Sequence, residues 1–258
     1  MKARTEQLLY LLLWSSEKLL RPTFRNLDES FEGWAYRSGF LREIALLEKK
    51  RFLERQPGNA RIYRLTAKGR LRALGGRDPQ TLWARGWDGR WRLVCFDVPI
   101  KENNQRLRLR RYLRSRGFGY LQNSVWVTPD PLNEEVRLLA ATKAHVESLI
   151  LFEGTACGGE SDADIVAGAW DFGAINQLYD RHLKILEAQP SCNSSKKITA
   201  HALRSWAEAE RLAWRNAIAM DPLLPQRLLP KEYLGKRAWR HRIEVLARAR
   251  RNIGRLVL

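Results

Sequence analysis

The chain has 258 residues, 45% of them hydrophobic and ten of them tryptophan, enough apolar material for two or three modest packed domains and too much for a disordered polymer. Lysine and arginine total 46 against 28 aspartate and glutamate, a formal net charge of +18; an excess of that size points to a nucleic-acid partner, with an anionic membrane surface as the weaker option. No apolar run approaches the roughly 18–20 residues of a spanning helix, and Cys95, Cys157 and Cys192 form no Cys-x-x-Cys pair, so a membrane anchor, a disulfide framework and a zinc site find no support.

Met1 to Glu6 lacks the apolar core of a signal peptide, and the expectation is a cytoplasmic protein. Thr5 is placed to cap a helix through Gln7 to about Ser15, with Leu8, Leu9, Leu12 and Leu13 inward. Pro22 breaks the chain, Asp28 can cap a short helix carrying Phe31 and Trp34, and Ser38-Gly39 makes a turn. Phe40, Ile44 and Leu47 then recur as one helical stripe in a segment ending near Arg51. Two helices around a short glycine-containing turn are the pattern of a helix-turn-helix.

Phe52 to Arg55 and Arg61 to Leu65 alternate apolar with polar residues, and Gln56-Pro57-Gly58-Asn59-Ala60 joins them as a hairpin tip. Thr66 caps a closing helix, Ala67 to Leu74, which Gly75-Gly76 ends. Residues 1–76 therefore follow the order of a winged helix-turn-helix. With the apolar stripe inward, Ser38, Arg42, Ala45 and Lys49 face outward, and Arg37 stands just before the helix. Arg42 has the fork for a bidentate contact to guanine, and Lys49 suits a phosphate. Arg55, Asn59 and Arg61 on the hairpin would straddle the backbone or enter the minor groove. The plainer alternative is a three-helix subdomain with a solvated basic face.

Residues 77–90 are polar, contain Pro79, and read as a linker. Trp91 to Val98 is an apolar, β-rich run stopped by Pro99. An arginine-heavy helix follows, with Leu109, Tyr112 and Leu113 on one face and Gly117 as its terminator. Phe118 to Leu121 and Ser124 to Thr128 are two short strands, Glu134 to Lys143 a second helix, and Val146 to Glu153 a fourth strand. This βαββαβ order over residues 91–155 is that of a split βαβ, ferredoxin-like domain. The six arginines between Arg106 and Arg116 make either a phosphate-tracking face or a solvated one.

Gly154 to Asp164 reads as a loop, and Gly158-Gly159 lacks the Gly-Lys-Ser/Thr of a phosphate loop. Residues 165–258 read as helical after a short strand at Ile165 to Ala169. The helices run from Trp170 to Glu187, from about Thr199 to Met220 and from Gly235 to Arg251. Trp206, Trp214 and Trp239 are candidates for lining an aromatic-effector pocket, with an ordinary core role as the alternative. Arg237 and Arg240 are candidates for its phosphates, or simply surface. The four histidines show no ligand spacing and no Gly-x-Ser-x-Gly elbow occurs, so neither a catalytic metal nor a cofactor is expected.

Two blocks carry a resemblance. The first is Trp91-Arg-Leu-Val, Phe96-Asp97-Val98-Pro99, Leu109-Arg-Arg-Tyr-Leu113, Gly117-Phe-Gly-Tyr-Leu121 and Ser124-Val-Trp-Val-Thr-Pro129. The second is Asp221-Pro-Leu-Leu-Pro225 with Leu228-Leu-Pro230, Tyr233, Gly235 and Ala238, where Tyr233 replaces an expected tryptophan. From about residue 38 to its end the chain resembles the phenylacetate-degradation operon repressors of the PaaX type. The resemblance implies an α+β protein: a GntR-like winged helix, a ferredoxin-like middle domain and a helical C-terminal domain. It further implies a homodimer that represses transcription on double-stranded DNA and is released by an aryl-CoA thioester. The middle domain is also similar to the smaller CRISPR spacer-acquisition protein, which carries an aspartate at the end of its first strand, where Asp97 stands. A metal-dependent nuclease is accordingly the alternative function, although Asp97 has no acidic companion close in sequence and can equally cap the following helix.

Overall fold

The structure is a computed structural model that describes Thr5 and residues 41–56, 59–97, 103–122, 124–132, 148–190 and 200–256. The proposed helices before residue 40 and the helix at 134–143 lie outside the described residues. The fold is α+β, with helices and antiparallel sheets. It forms two compact units: Met1–Asp78 with Leu178–Asn216 and Leu234–Leu258, and Pro79–Gln177 with Ala217–Tyr233.

The first unit opens with α1 (Leu41–Lys49), whose Ile44 and Leu47 are buried three residues apart, as an amphipathic helix requires. Arg51 takes a left-handed conformation (φ 56°) and turns the chain, so that the Phe52 amide donates to Leu47 O at 2.9 Å. The hairpin β1 (Leu53–Gln56) and β2 (Asn59–Leu65) pairs antiparallel with Leu53 opposite Leu65 and Arg55 opposite Tyr63. Leu53 and Tyr63 are buried. Thr66 caps α2 (Ala67–Ala73): its Oγ1 accepts from the Gly69 amide at 3.0 Å and donates to Arg51 O at 2.7 Å. Gly69 is required by contact, since a Cβ there would lie 2.0 Å from the Phe52 carbonyl oxygen. Beyond α2, Gly75 and Gly76 have positive φ, which ends the helix cheaply.

The second unit begins with a departure from expectation. The stretch at 77–90, read as a linker, contains α3 (Pro79–Ala84), with Pro79 and Trp83 buried. Proline at the first position of a helix costs nothing, because its missing N–H has no intrahelical partner anyway. A four-stranded antiparallel sheet follows, built from β3 (Trp91–Asp97), β4 (Gly119–Gln122), β5 (Val125–Thr128) and β6 (Ser148–Gly154), in the spatial order β4-β5-β3-β6. Helix α4 (Asn103–Ser115) lies between β3 and β4 in the chain. Its Leu109 and Leu113 pack with Val94, Phe96, Phe118 and Trp126 in one buried cluster.

A second correction concerns Ile165 to Ala169, expected as a strand. They belong to α5 (Asp162–Ala169), started by a capping box in which Ser161 and Asp164 bond reciprocally. That local bonding outweighs the β-branched preference of Ile165 and Val166. Gly119 lets α5 approach β4, since a Cβ there would stand 2.6 Å from that of Ala169 and 2.7 Å from the Trp170 ring.

Three longer helices complete the chain: α6 (Phe172–Glu187), α7 (Ala200–Met220) and α8 (Gly235–Leu256). In the second unit, the segment after α7 is knotted around Asp221. Its carboxylate accepts from the Leu223 amide at 2.8 Å and from the Tyr233 hydroxyl. Leu223 is buried in a left-handed conformation (φ 55°), and Arg85, also bidentate to Asp130 at 2.6 and 2.9 Å, donates to its carbonyl. Tyr233 packs edge-on against both Trp83 and Phe172.

Candidate nucleic-acid interface

A nine-residue helix with one buried stripe leaves the opposite side for solvent or a partner. On α1 that side carries Arg42, Ala45 and Lys49, all exposed, as the periodicity indicates. Lys50 and Arg51, exposed just beyond, extend the positive end of the helix. Arg37 and Ser38 lie outside the described residues.

The hairpin is fastened to α1 through charge. Arg55 Nε lies 3.2 Å from Glu48 Oε1, and its guanidinium stands 4.9 Å from the centre of the Tyr63 ring. Arg64 bridges the strands to Glu54 at 2.6 Å. Both pairs are half-exposed, so each contributes at most about 1 kcal/mol and can be exchanged for a phosphate. Asn59 sits at the hairpin end opposite Gln56, and Arg61 lies in β2; their side chains are outside the described set. Lys68, Arg70 and Arg72 on α2 are also exposed and basic, a surface the sequence reading did not assign. The four-residue spacing of Lys68 and Arg72, which puts both on one face of a helix capped by Thr66, is the available signal.

The candidate effector residues divide. Trp206, Trp214 and Trp239 are buried, and Arg237 and Arg240 are exposed on α8. Trp206 donates its indole N–H to Ile185 O at 2.8 Å. Trp214 stands at the centre of a charge cluster that sequence reasoning missed. Arg242 lies 4.5 Å over the Trp214 ring and 5.9 Å from that of Trp239, and its Nε donates to Glu210 Oε1 at 2.7 Å. His182 Nε2 meets the same oxygen at 2.9 Å. His182, Glu210 and Arg242 are all 0% exposed.

Burial holds His182 down to about 3, helped by the charges of Arg242 and His241, so its ring is neutral at physiological pH. Burial pushes the Glu210 carboxyl up while Arg242 pulls it back, and burial lowers Arg242 while Glu210 opposes it. The cluster reaches the N-terminal segment, because Trp214 Nε1 donates to Leu74 O, at the cap of α2, at 3.3 Å.

None of the five effector candidates lines the cavity bordered by α4, the sheet and α5. That cavity, of about 770 Å³, belongs to the second unit. Its wall is largely apolar, including the rings of Phe118, Trp126, Trp170 and Phe172, and Arg114 is its cation. Trp126 is fully buried, and its indole N–H has no acceptor among the described residues. Asp97 ends β3 opposite Ser148, with its side chain outside the described set. Among the described residues no three His, Cys, Asp or Glu side chains gather as a metal site, and no helix is long and apolar enough to cross a membrane.

Residues 84–166 match the family described as the PaaX protein central Cas2-like domain, and residues 170–253 match the PaaX-like protein C-terminal domain. No curated protein matches the chain. Among solved structures, the chain is similar to the uncharacterized protein Rv0674 from Mycobacterium tuberculosis, at 19% identity over 97% of each chain with a TM-score of 0.59, a likeness of fold.

Proposed function

The chain belongs to the PaaX family of transcriptional regulators, and from that premise we propose that it is a dimeric, cytoplasmic repressor occupying a roughly palindromic operator. The observation that carries this reading is α1 with its outward Arg42 and Lys49 beside a basic hairpin, which supports a winged helix-turn-helix. In that arrangement α1 enters the major groove, and the two copies reach half-sites one helical turn apart or a multiple of it. The order β4-β5-β3-β6 supports a ferredoxin-like middle domain.

Release by a small-molecule effector, an aryl-CoA thioester by kinship, completes the proposal. The apolar cavity of the second unit, with aromatic rings in its wall, is the better seat for it, since Trp206, Trp214 and Trp239 are already packed as core. The test is genome-wide capture of occupied DNA, followed by binding of the captured duplex. Arg42→Ala is expected to reduce discrimination against scrambled duplex by about 1–3 kcal/mol, as for one lost bidentate base contact. Equal loss on both duplexes removes Arg42 from base readout, and a monomeric mass at micromolar concentration rejects the dimer.

A nuclease is the second reading, favoured by the position of Asp97 at the end of β3 in a Cas2-like domain. Labelled duplex incubated with magnesium or manganese, wild type beside Asp97→Ala, separates the two. Cleavage that disappears with the substitution establishes the enzyme.

A further inference from the structure

Arg106, Arg108, Arg110, Arg111 and Arg114 lie on α4 and Arg116 follows it, while no Asp or Glu occurs from Asn103 to Arg116. At roughly 100° per residue, Arg106, Arg110 and Arg114 run along one flank in steps of about 6 Å, and Arg108 and Arg111 point away from the buried side marked by Leu109 and Leu113. Two of the guanidiniums are seated on rings of the sheet: Arg110 is 5.9 Å from the Tyr120 ring and Arg114 6.0 Å from that of Trp126.

Several arginines outside α4 are neutralised by carboxylates. Arg85 pairs with Asp130, Arg92 with Asp88 and Glu153, Arg55 with Glu48, Arg64 with Glu54 and Arg242 with Glu210. Among the described residues no carboxylate pairs with Arg108, Arg110, Arg111 or Arg114. Like charges three and four residues apart weaken a helix, and α4 carries such pairs at Arg108/Arg111, Arg110/Arg114 and Arg111/Arg114. Anions supplied from outside would relieve that repulsion.

We infer that the outward face of α4 is a second nucleic-acid surface, on the middle domain, where arginines bind the duplex phosphate backbone without reading sequence. Arginine's planar fork fits phosphate oxygens bidentately. A membrane surface fits less well, because an interfacial helix must offer its apolar side to lipid and here Leu109 and Leu113 are spent on the core. The inference rests on the DNA-binding reading above and adds a contact surface outside α1 and the hairpin.

The experiment measures the affinity of the full-length protein for specific and random duplex across a salt series. The Arg108→Ala/Arg111→Ala/Arg114→Ala protein is compared with a control of equal charge loss, Arg181→Ala/Lys231→Ala/Arg248→Ala, also at exposed sites. At roughly 0.9 per phosphate contact, the slope of log K against log salt is expected to fall by up to about 3 for the α4 protein on both duplexes, and by less than about 1 for the control. The ratio of specific to random affinity is expected to stay unchanged. The Arg→Gln triple, which preserves helix propensity, is expected to behave as the alanine triple and reads the same quantity should that one misfold. Equal slopes for the α4 and control proteins overturn the inference while leaving the regulator reading intact. Loss of binding to anionic phosphatidylserine vesicles with unchanged duplex binding overturns it in favour of a membrane, and a wild type that binds no duplex sinks both readings.

Discussion

His182 lends itself to a quantitative test, because its three close neighbours are known and it has no access to water. A histidine with a folded-state value of about 3 and an unfolded value near 6.5 disfavours proton uptake in the folded state. The unfolded chain therefore binds more protons below about pH 6.5, and the stability that neutral His182 confers is complete above that pH and lost as pH falls toward 3. The linkage integral gives about 2 kcal/mol lost by pH 5 and about 5 kcal/mol over the whole window.

Glu210, Arg242 and His241 surround the ring and remain when His182 is replaced, so a difference measurement isolates the histidine. Urea unfolding followed by tryptophan fluorescence at pH 7.5 and 5.0 should show wild type losing about 2 kcal/mol more than His182→Gln. Glutamine keeps a donor for Glu210. An identical pH response in the two proteins refutes the reasoning, for it means the ring protonates freely in the fold.

Two further predictions concern packing. Gly69→Ala sets a Cβ against the Phe52 carbonyl and is expected to cost about 2 kcal/mol, overpacking outweighing alanine's better helix propensity, with a lowered Tm and weaker operator binding. Arg242→Met is expected to cost about 3–5 kcal/mol by stranding a buried Glu210, and the double change with Glu210→Leu to recover most of it, both read from urea midpoints.

Local signals in the sequence proved sufficient where a few neighbouring residues decide the conformation. The Ile44 and Leu47 stripe, the Thr66 cap, the alternation on both strands of the hairpin and the Gly117 terminator each act within a turn or two of their own position. The same kind of signal stands at Pro79, a helix-starting proline, and at Ser161-Asp164, whose capping box uses aspartate in place of the commoner glutamate. What the sequence could not disclose is convergence. His182, Glu210 and Arg242 come from three helices, and nothing in their spacing announces that one carboxylate oxygen receives two of them. For the same reason Trp206, Trp214 and Trp239, plausible as pocket walls one at a time, became core once their helices met. The cavity instead draws on residues from Arg114 to Pro230.

The most direct test of the account is amide hydrogen exchange on the full-length protein with and without the captured duplex. Protection on binding is expected across Leu41–Lys49 and Asn59–Leu65, where α1 and the hairpin would meet the grooves. Tight duplex binding with those two segments exchanging as in the free protein would contradict it.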